Sequence, residues 1–278
     1  MYELKSLENG FEYIEIKNSV SSAKIALQGA HVYEYKRKGK PDILWLSESS
    51  AFEYGTAIRG GIPICWPRFG VIDKSMPAHG FSRTALFSFK SAVEIDDATT
   101  KVTLTLKDSI ESREIWNYKF ELEVVFVIGK TLTVSMNTHN LDTKDFFITE
   151  ALHTYLSVSD INDVTIFGLE NREFIDTLCD EKRSEKVALQ IESECDRVYE
   201  SVDNDIELRD VKRSIVLNAK GSNSTVVWNP WIEKGSRVSG MRADAYREFV
   251  CIETANAFDG FRVVKPEESH TLSVTFMV

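Results

Sequence analysis

KFELEVVFVIGKTLTVSMNTH, residues 119–139, is the stretch that decides the fold class. Apolar side chains recur at every second position on either side of Gly129-Lys130, which is the period of a half-buried strand. Gly-Lys between two such runs reads as a two-residue hairpin turn. Working outward, KVTLTLKD (101–108) alternates in the same way, and 212–217, 224–228 and 247–253 carry further strand patterns. HTLSVTFMV (270–278) closes the chain on another alternating run. Helical patterning is scarce. The polar stretch 180–191 suits a helix or a loop, and its charged part, DEKRSEK (180–186), reads as a solvated loop. No Pro-rich or Ser/Gly-rich linker, short repeat or low-complexity tract interrupts the chain. Many strands without intervening helices call for packed antiparallel sheets. The expectation is an all-β chain, one large antiparallel β-sandwich spanning residues 1–278 as a single domain.

The totals narrow the classes of partner. Acidic residues outnumber basic ones 43 to 33 in 278 residues, for a net charge of −10. No run of five basic residues occurs, so the basic face that nucleic acid requires is missing. The same balance disfavours an anionic membrane surface, and no apolar stretch approaches a membrane span. A small anionic ligand stays open if a few cations gather locally. Cys65, Cys179, Cys195 and Cys251 form no CxxC and no close Cys/His cluster of the kind that holds zinc. The N-terminal residues lack the basic and apolar regions of a signal peptide. These features predict a cytoplasmic protein with reduced thiols, no metal or nucleotide cofactor, and a monomer by default.

Three segments break the strand pattern. AIRGGIPICWPRFG (57–70) and MPAHGFSR (76–83) place Arg59, Arg68, Arg83 and His79 among glycines that permit shaped loops. Arginine forks suit a phosphate or a carboxylate, although pairing with surface acids is the plainer reading. In ITEALHTYLSV (148–158), a strand would put Thr149, Ala151, His153 and Tyr155 on one face. His153 there is either a buried structural hydrogen-bonder or a catalytic imidazole. In REFVCIETANAFDG (247–260), Glu253 ends an apolar run, where desolvation raises a carboxylate's pKa and makes it a useful base. The alternative is a carboxylate capped by backbone amides. The tryptophans of VVWNPWIEKG (226–235) either stack on a sugar or plug the core. No P-loop, GxGxxG, GxSxG or HExxH occurs.

In chain order, RGGIPICWP, PAHGFSR, EALHTYL, CDRVY, WNPW and CIETAN resemble the aldose 1-epimerase superfamily, in its hexose-6-phosphate mutarotase (glucose-6-phosphate 1-epimerase) branch. The matches run from about residue 57 to 257. The resemblance implies a galactose mutarotase-like supersandwich with an open groove across one sheet. It implies that His153 and Glu253 are catalytic, and that Arg59, Arg83 and Asp196 belong to the sugar-phosphate pocket, with His79 near the anomeric carbon. Ala78, Arg68 and Thr254 depart from the residues common in relatives, which bears on sugar preference rather than reaction type.

The expected reaction is interconversion of α and β anomers through the open aldehyde. An ionised Glu253 takes the C1 hydroxyl proton while a protonated His153 donates to the ring oxygen. Side by side, the two groups are expected to hold each other ionised. Rival readings are a carbohydrate-binding sandwich without catalysis, a glycoside hydrolase working with Glu253 and Asp196, and an aldose–ketose isomerase.

Overall fold

The computed structural model describes residues 1–71, 75–211 and 213–278. The alternating run from the centre of the sequence forms two strands, Phe120–Ile128 and Leu132–Asn140, in full antiparallel register from Phe120 opposite Asn140 to Ile128 opposite Leu132. Every second side chain is buried: Phe120, Leu122, Val124, Phe126 and Ile128 on one strand, Leu132, Val134 and Met136 on the other. Burying each of these is worth roughly 1.5–3 kcal/mol. The turn holds three residues, Gly129 to Thr131, rather than the two expected, and the Gly129 amide donates to the Thr131 carbonyl at 2.9 Å. The second strand starts at Leu132, where pairing with Ile128 begins, so Thr131 completes the turn.

Among the described residues, this hairpin lies inside an eight-stranded antiparallel sheet. Strands Ser88–Asp96 and Thr99–Lys107 flank it on one side, and Ser269–Met277, Arg213–Lys220, Ile206–Asp210 and Thr165–Phe167 on the other. A second eight-stranded sheet carries Glu150–Leu152, Tyr155–Ser157, Cys195–Glu200, Ser224–Asn229 and Phe249–Asn256. A four-stranded N-terminal sheet spans Tyr2–Ser6 to His31–Arg37. One apolar core joins all three. Ile14 and Ile25 come from the N-terminal sheet, Phe126 and Phe276 from the first large sheet, and Val250, Ile252 and Phe174 from the second. The layers are those of a sandwich. Two short α-helices, Ile110–Ile115 and Trp231–Gly235, lie in connections. No helix among the described residues is long and apolar enough to cross a membrane.

Two expectations are revised. The charged stretch 180–186 is not a loop: Glu181–Ser184 is an edge strand paired with Glu173–Asp176, and all four of its residues are exposed. A charged, solvated strand is how a sheet edge avoids pairing with other chains, so composition gave the solvation and missed the pairing. The segment 148–158 is broken at His153-Thr154 between Glu150–Leu152 and Tyr155–Ser157. Lys212, the first residue of the expected strand 212–217, lies outside the described residues.

Candidate active site

Strand Phe249–Asn256 is buried along its whole length because it is covered on both faces. Val250 and Ile252 enter the sandwich core, whereas Phe249, Cys251 and Ala255 face the opposite way among Trp45, Tyr155, Ala151 and Val226. By period two Glu253 shares that outer face. Ala151 and Leu152 pair with Ala255 and Thr254, and Tyr155 pairs with Cys251, so the break at His153 lies directly beside Glu253. The His153 amide leaves the strand ladder to donate to the Pro63 carbonyl at 3.0 Å. The expected sharing of a face by Ala151, His153 and Tyr155 survives the break, with Leu152 in the core.

His153 Nε2 stands 3.4 Å from Glu253 Oε1. Their other polar atoms, Nδ1 and Oε2, are buried without a hydrogen-bond partner. The imidazole is stacked on the Tyr155 ring, with centroids 5.0 Å apart and planes 10° apart, and the Tyr155 hydroxyl accepts from Arg59 Nη1 at 3.2 Å. The Trp228 and His79 rings each meet the His153 ring in an edge-type arrangement, with centroids 6.1 Å and 5.7 Å away.

The arginines and His79 are placed by glycine geometry. Gly60 adopts φ +114°, and a Cβ there would lie 2.5 Å from the Trp45 carbonyl oxygen. Gly80 adopts φ +74°, and its Cβ would meet the Trp66 carbonyl oxygen at 2.1 Å. Both loops therefore press backbone against backbone in a way only glycine allows. His79 itself is held at φ 64°, a conformation costly for a side-chain-bearing residue and typical of functional loops. Its Nδ1 accepts from the Gly70 amide at 3.3 Å, and Arg83 Nη2 donates to the neighbouring Ala78 carbonyl at 2.8 Å. Arg59 Nε is buried and unpartnered. Arg68 is different: its Nη1 donates to the Phe147 carbonyl at 2.8 Å, away from the pair. Asp196 stands opposite Trp228, which stands opposite Cys251, placing it two strands from the strand of Glu253. Lys234 Nζ lies 3.7 Å from the Asp196 carboxylate and 6.0 Å from the Trp228 ring centre.

Burial dominates the electrostatics. It holds the Glu253 carboxyl well above the usual range, helped by the nearby Asp196 charge. It holds the His153 imidazole well below, helped by His79, Arg59 and Arg83. His79 is pushed down to about 4 by burial and then by Arg83 and Arg59. Both shifts run toward the neutral forms, against the mutual ionisation expected from the sequence, and the arginines add to the cost of an imidazolium.

Tyr155, Trp228 and Cys251 line the site beside the expected residues. Tyr155 and Trp228 stood within motifs already singled out. Cys251 opens the CIETAN motif, two residues before Glu253, but nothing in its spacing marked it as part of the site.

The whole architecture superposes on a provisionally named mutarotase from Salmonella typhimurium with a TM-score of 0.93, at 31% identity, covering 99% of this chain and 92% of that one. The fold therefore falls in the class of mutarotase-type β-sandwiches. Residues 12–277 match the aldose 1-epimerase family model. A provisionally named glucose-6-phosphate 1-epimerase of Escherichia coli K12 is 35% identical over 264 residues, 93% of this chain and 88% of that protein. One of Cenchrus ciliaris with the same provisional name is 32% identical over 266 residues, 91% and 80% respectively. The chain belongs to the aldose 1-epimerase family.

Proposed function

We propose that this chain interconverts the α and β anomers of a hexose 6-phosphate, D-glucose 6-phosphate foremost, with His153 and Glu253 as the acid–base pair. The observation that carries the reading is the 3.4 Å approach of two buried groups whose remaining polar atoms have no partner. Such atoms cost free energy while they lack partners, and a pyranose supplies hydroxyl and ring oxygens to meet them. A binding protein without catalysis has no use for that cost.

Opening a pyranose takes a proton from the C1 hydroxyl and gives one to the ring oxygen. Rotation about C1–C2 then exposes the other aldehyde face, and closure reverses both transfers. The phosphate is assigned to Arg59 and Arg83, with Asp196 and His79 contacting the sugar. A phosphate dianion there cancels the positive field that suppresses the imidazolium, while the sugar hydroxyls replace lost solvent around Glu253. The proton then passes from Glu253 to His153, and the bound pair becomes carboxylate base and imidazolium acid. Positioned acid–base groups contribute roughly 10²–10⁴-fold each, and anchoring the phosphate orients C1 without joining the bond changes.

Glu253→Gln and His153→Asn should each lower the anomerisation rate by at least about 100-fold while leaving affinity for the sugar phosphate within about tenfold. Near-normal rates in both variants would remove the assignment.

A further inference from the structure

Cys251 has no part in the proposed reaction, yet its sulfur shares a pocket with the pair. One ligand atom each from His153, Cys251 and Glu253 lies within 4.8 Å of the other two. Cys251 and Glu253 are two apart on one strand and aim at the same side, and His153 closes the triangle from the broken strand beside them.

We propose that this triangle binds a thiophilic divalent cation, Zn²⁺ foremost, which seizes the catalytic pair and excludes the sugar. Imidazole, thiolate and carboxylate are the donors zinc prefers, and three protein ligands leave a fourth position for water. The spacing agrees. Nitrogen and oxygen ligands about 2.0–2.1 Å from a tetrahedral zinc lie about 3.3–3.4 Å apart. His153 Nε2 and Glu253 Oε1 are 3.4 Å apart, too long for a charge-assisted hydrogen bond of about 2.7–2.9 Å. The edges to sulfur need about 3.5 Å, so Cys251 must close part of its present separation by side-chain rotation. His153 Nδ1 and Glu253 Oε2, the atoms facing away from the 3.4 Å edge, are buried and unpartnered, so no hydrogen bond there holds either side chain against small adjustments toward the cation. Glu253 and Cys251 bind as carboxylate and thiolate, each releasing a proton to solvent. Their two negative charges offset the dication, so the buried complex is neutral and Arg59 and Arg83 are not set against a net cation. Mg²⁺ and Ca²⁺, which require six or more oxygen ligands, are refused.

The binding stands independently of the epimerase reading; the inhibition rests on it. The test adds Co²⁺ to the full chain without substrate and reads the thiolate-to-cobalt charge-transfer band in the near ultraviolet. Zn²⁺ is then titrated by calorimetry. Wild type should take up one Co²⁺ with a thiolate band, and Zn²⁺ should displace it. Cys251→Ser and Cys251→Ala should lose the band and weaken Zn²⁺ at least tenfold, and His153→Asn should weaken it from the other side of the triangle. Cys179→Ser, which removes the exposed thiol, should behave as wild type. In the assay, Zn²⁺ should raise the apparent KM for the hexose phosphate. A band that survives in both Cys251 variants, or that vanishes in Cys179→Ser, overturns the proposal. So does a wild-type chain that binds no Co²⁺. A chain that binds cobalt through Cys251 but does not speed anomer exchange would refute the epimerase reading and leave the metal site standing.

Discussion

Glu253 and His153 are shifted in opposite directions, each toward its neutral form, and the cause is the same for both. Removing a charge from water costs more than a single partner at 3.4 Å returns. Neutrality is useful at this position because a pair with one mobile proton can serve as acid and base in turn. The signs give a pH prediction. A bound phosphate dianion raises both apparent pKa values of the pair, because negative charge favours protonation. The pH–rate bell for a hexose 6-phosphate should therefore lie at higher pH than the bell for the unphosphorylated hexose, and Arg59→Ala should shrink the difference. Steady-state rates across pH with both sugars measure this. Coincident bells would mean that the arginines do not couple to the pair.

At the scale of elements, alternation did most of the structural work. Phe120–Ile128 bury Phe126 completely and leave Val125 half-buried, as the pattern required. Phe126→Ala should cost about 3–5 kcal/mol through lost burial and a residual cavity, whereas Val125→Ala should cost less than half as much. Denaturant unfolding of both variants checks this, and equal losses would mean that the register has been misread by one residue. Where alternation failed, the reasons differ. The turn at Gly129 was one residue longer because strand ends are set by pairing, which a one-dimensional pattern does not contain. DEKRSEK pairs as the strand Glu181–Ser184 even though its side chains bury nothing, so no hydrophobic period could reveal it. His153 sits at a break because its amide bonds Pro63 in a loop some ninety positions earlier.

For the whole molecule, the individual site residues were legible and their meeting was not. Arg59, His79 and Arg83 announced themselves by glycines, and Glu253 by an apolar run ending in a carboxyl. That His153 faces Glu253 depends on Glu150–Leu152 and Tyr155–Ser157 both pairing with Phe249–Asn256, a sheet order that local periodicity cannot encode. The resemblance to the epimerases supplied that link. Two further residues are placed by contacts that sequence spacing does not contain. Spacing rules found no Cys/His cluster, yet Cys251 stands beside His153 across two strands. Arg68, which departs from the residue common in relatives, has its guanidinium tied to the Phe147 carbonyl. A net charge of −10 also makes the local gathering of Arg59 and Arg83 significant, since the global field repels an anionic sugar.

The most direct test is magnetisation exchange between the two anomeric proton signals of D-glucose 6-phosphate in the presence of the purified chain. Catalytic amounts should accelerate α–β exchange far above the spontaneous rate, more for the 6-phosphate than for glucose, without moving deuterium onto carbon. An exchange rate no faster than in buffer, with the sugar phosphate demonstrably bound, would contradict the account.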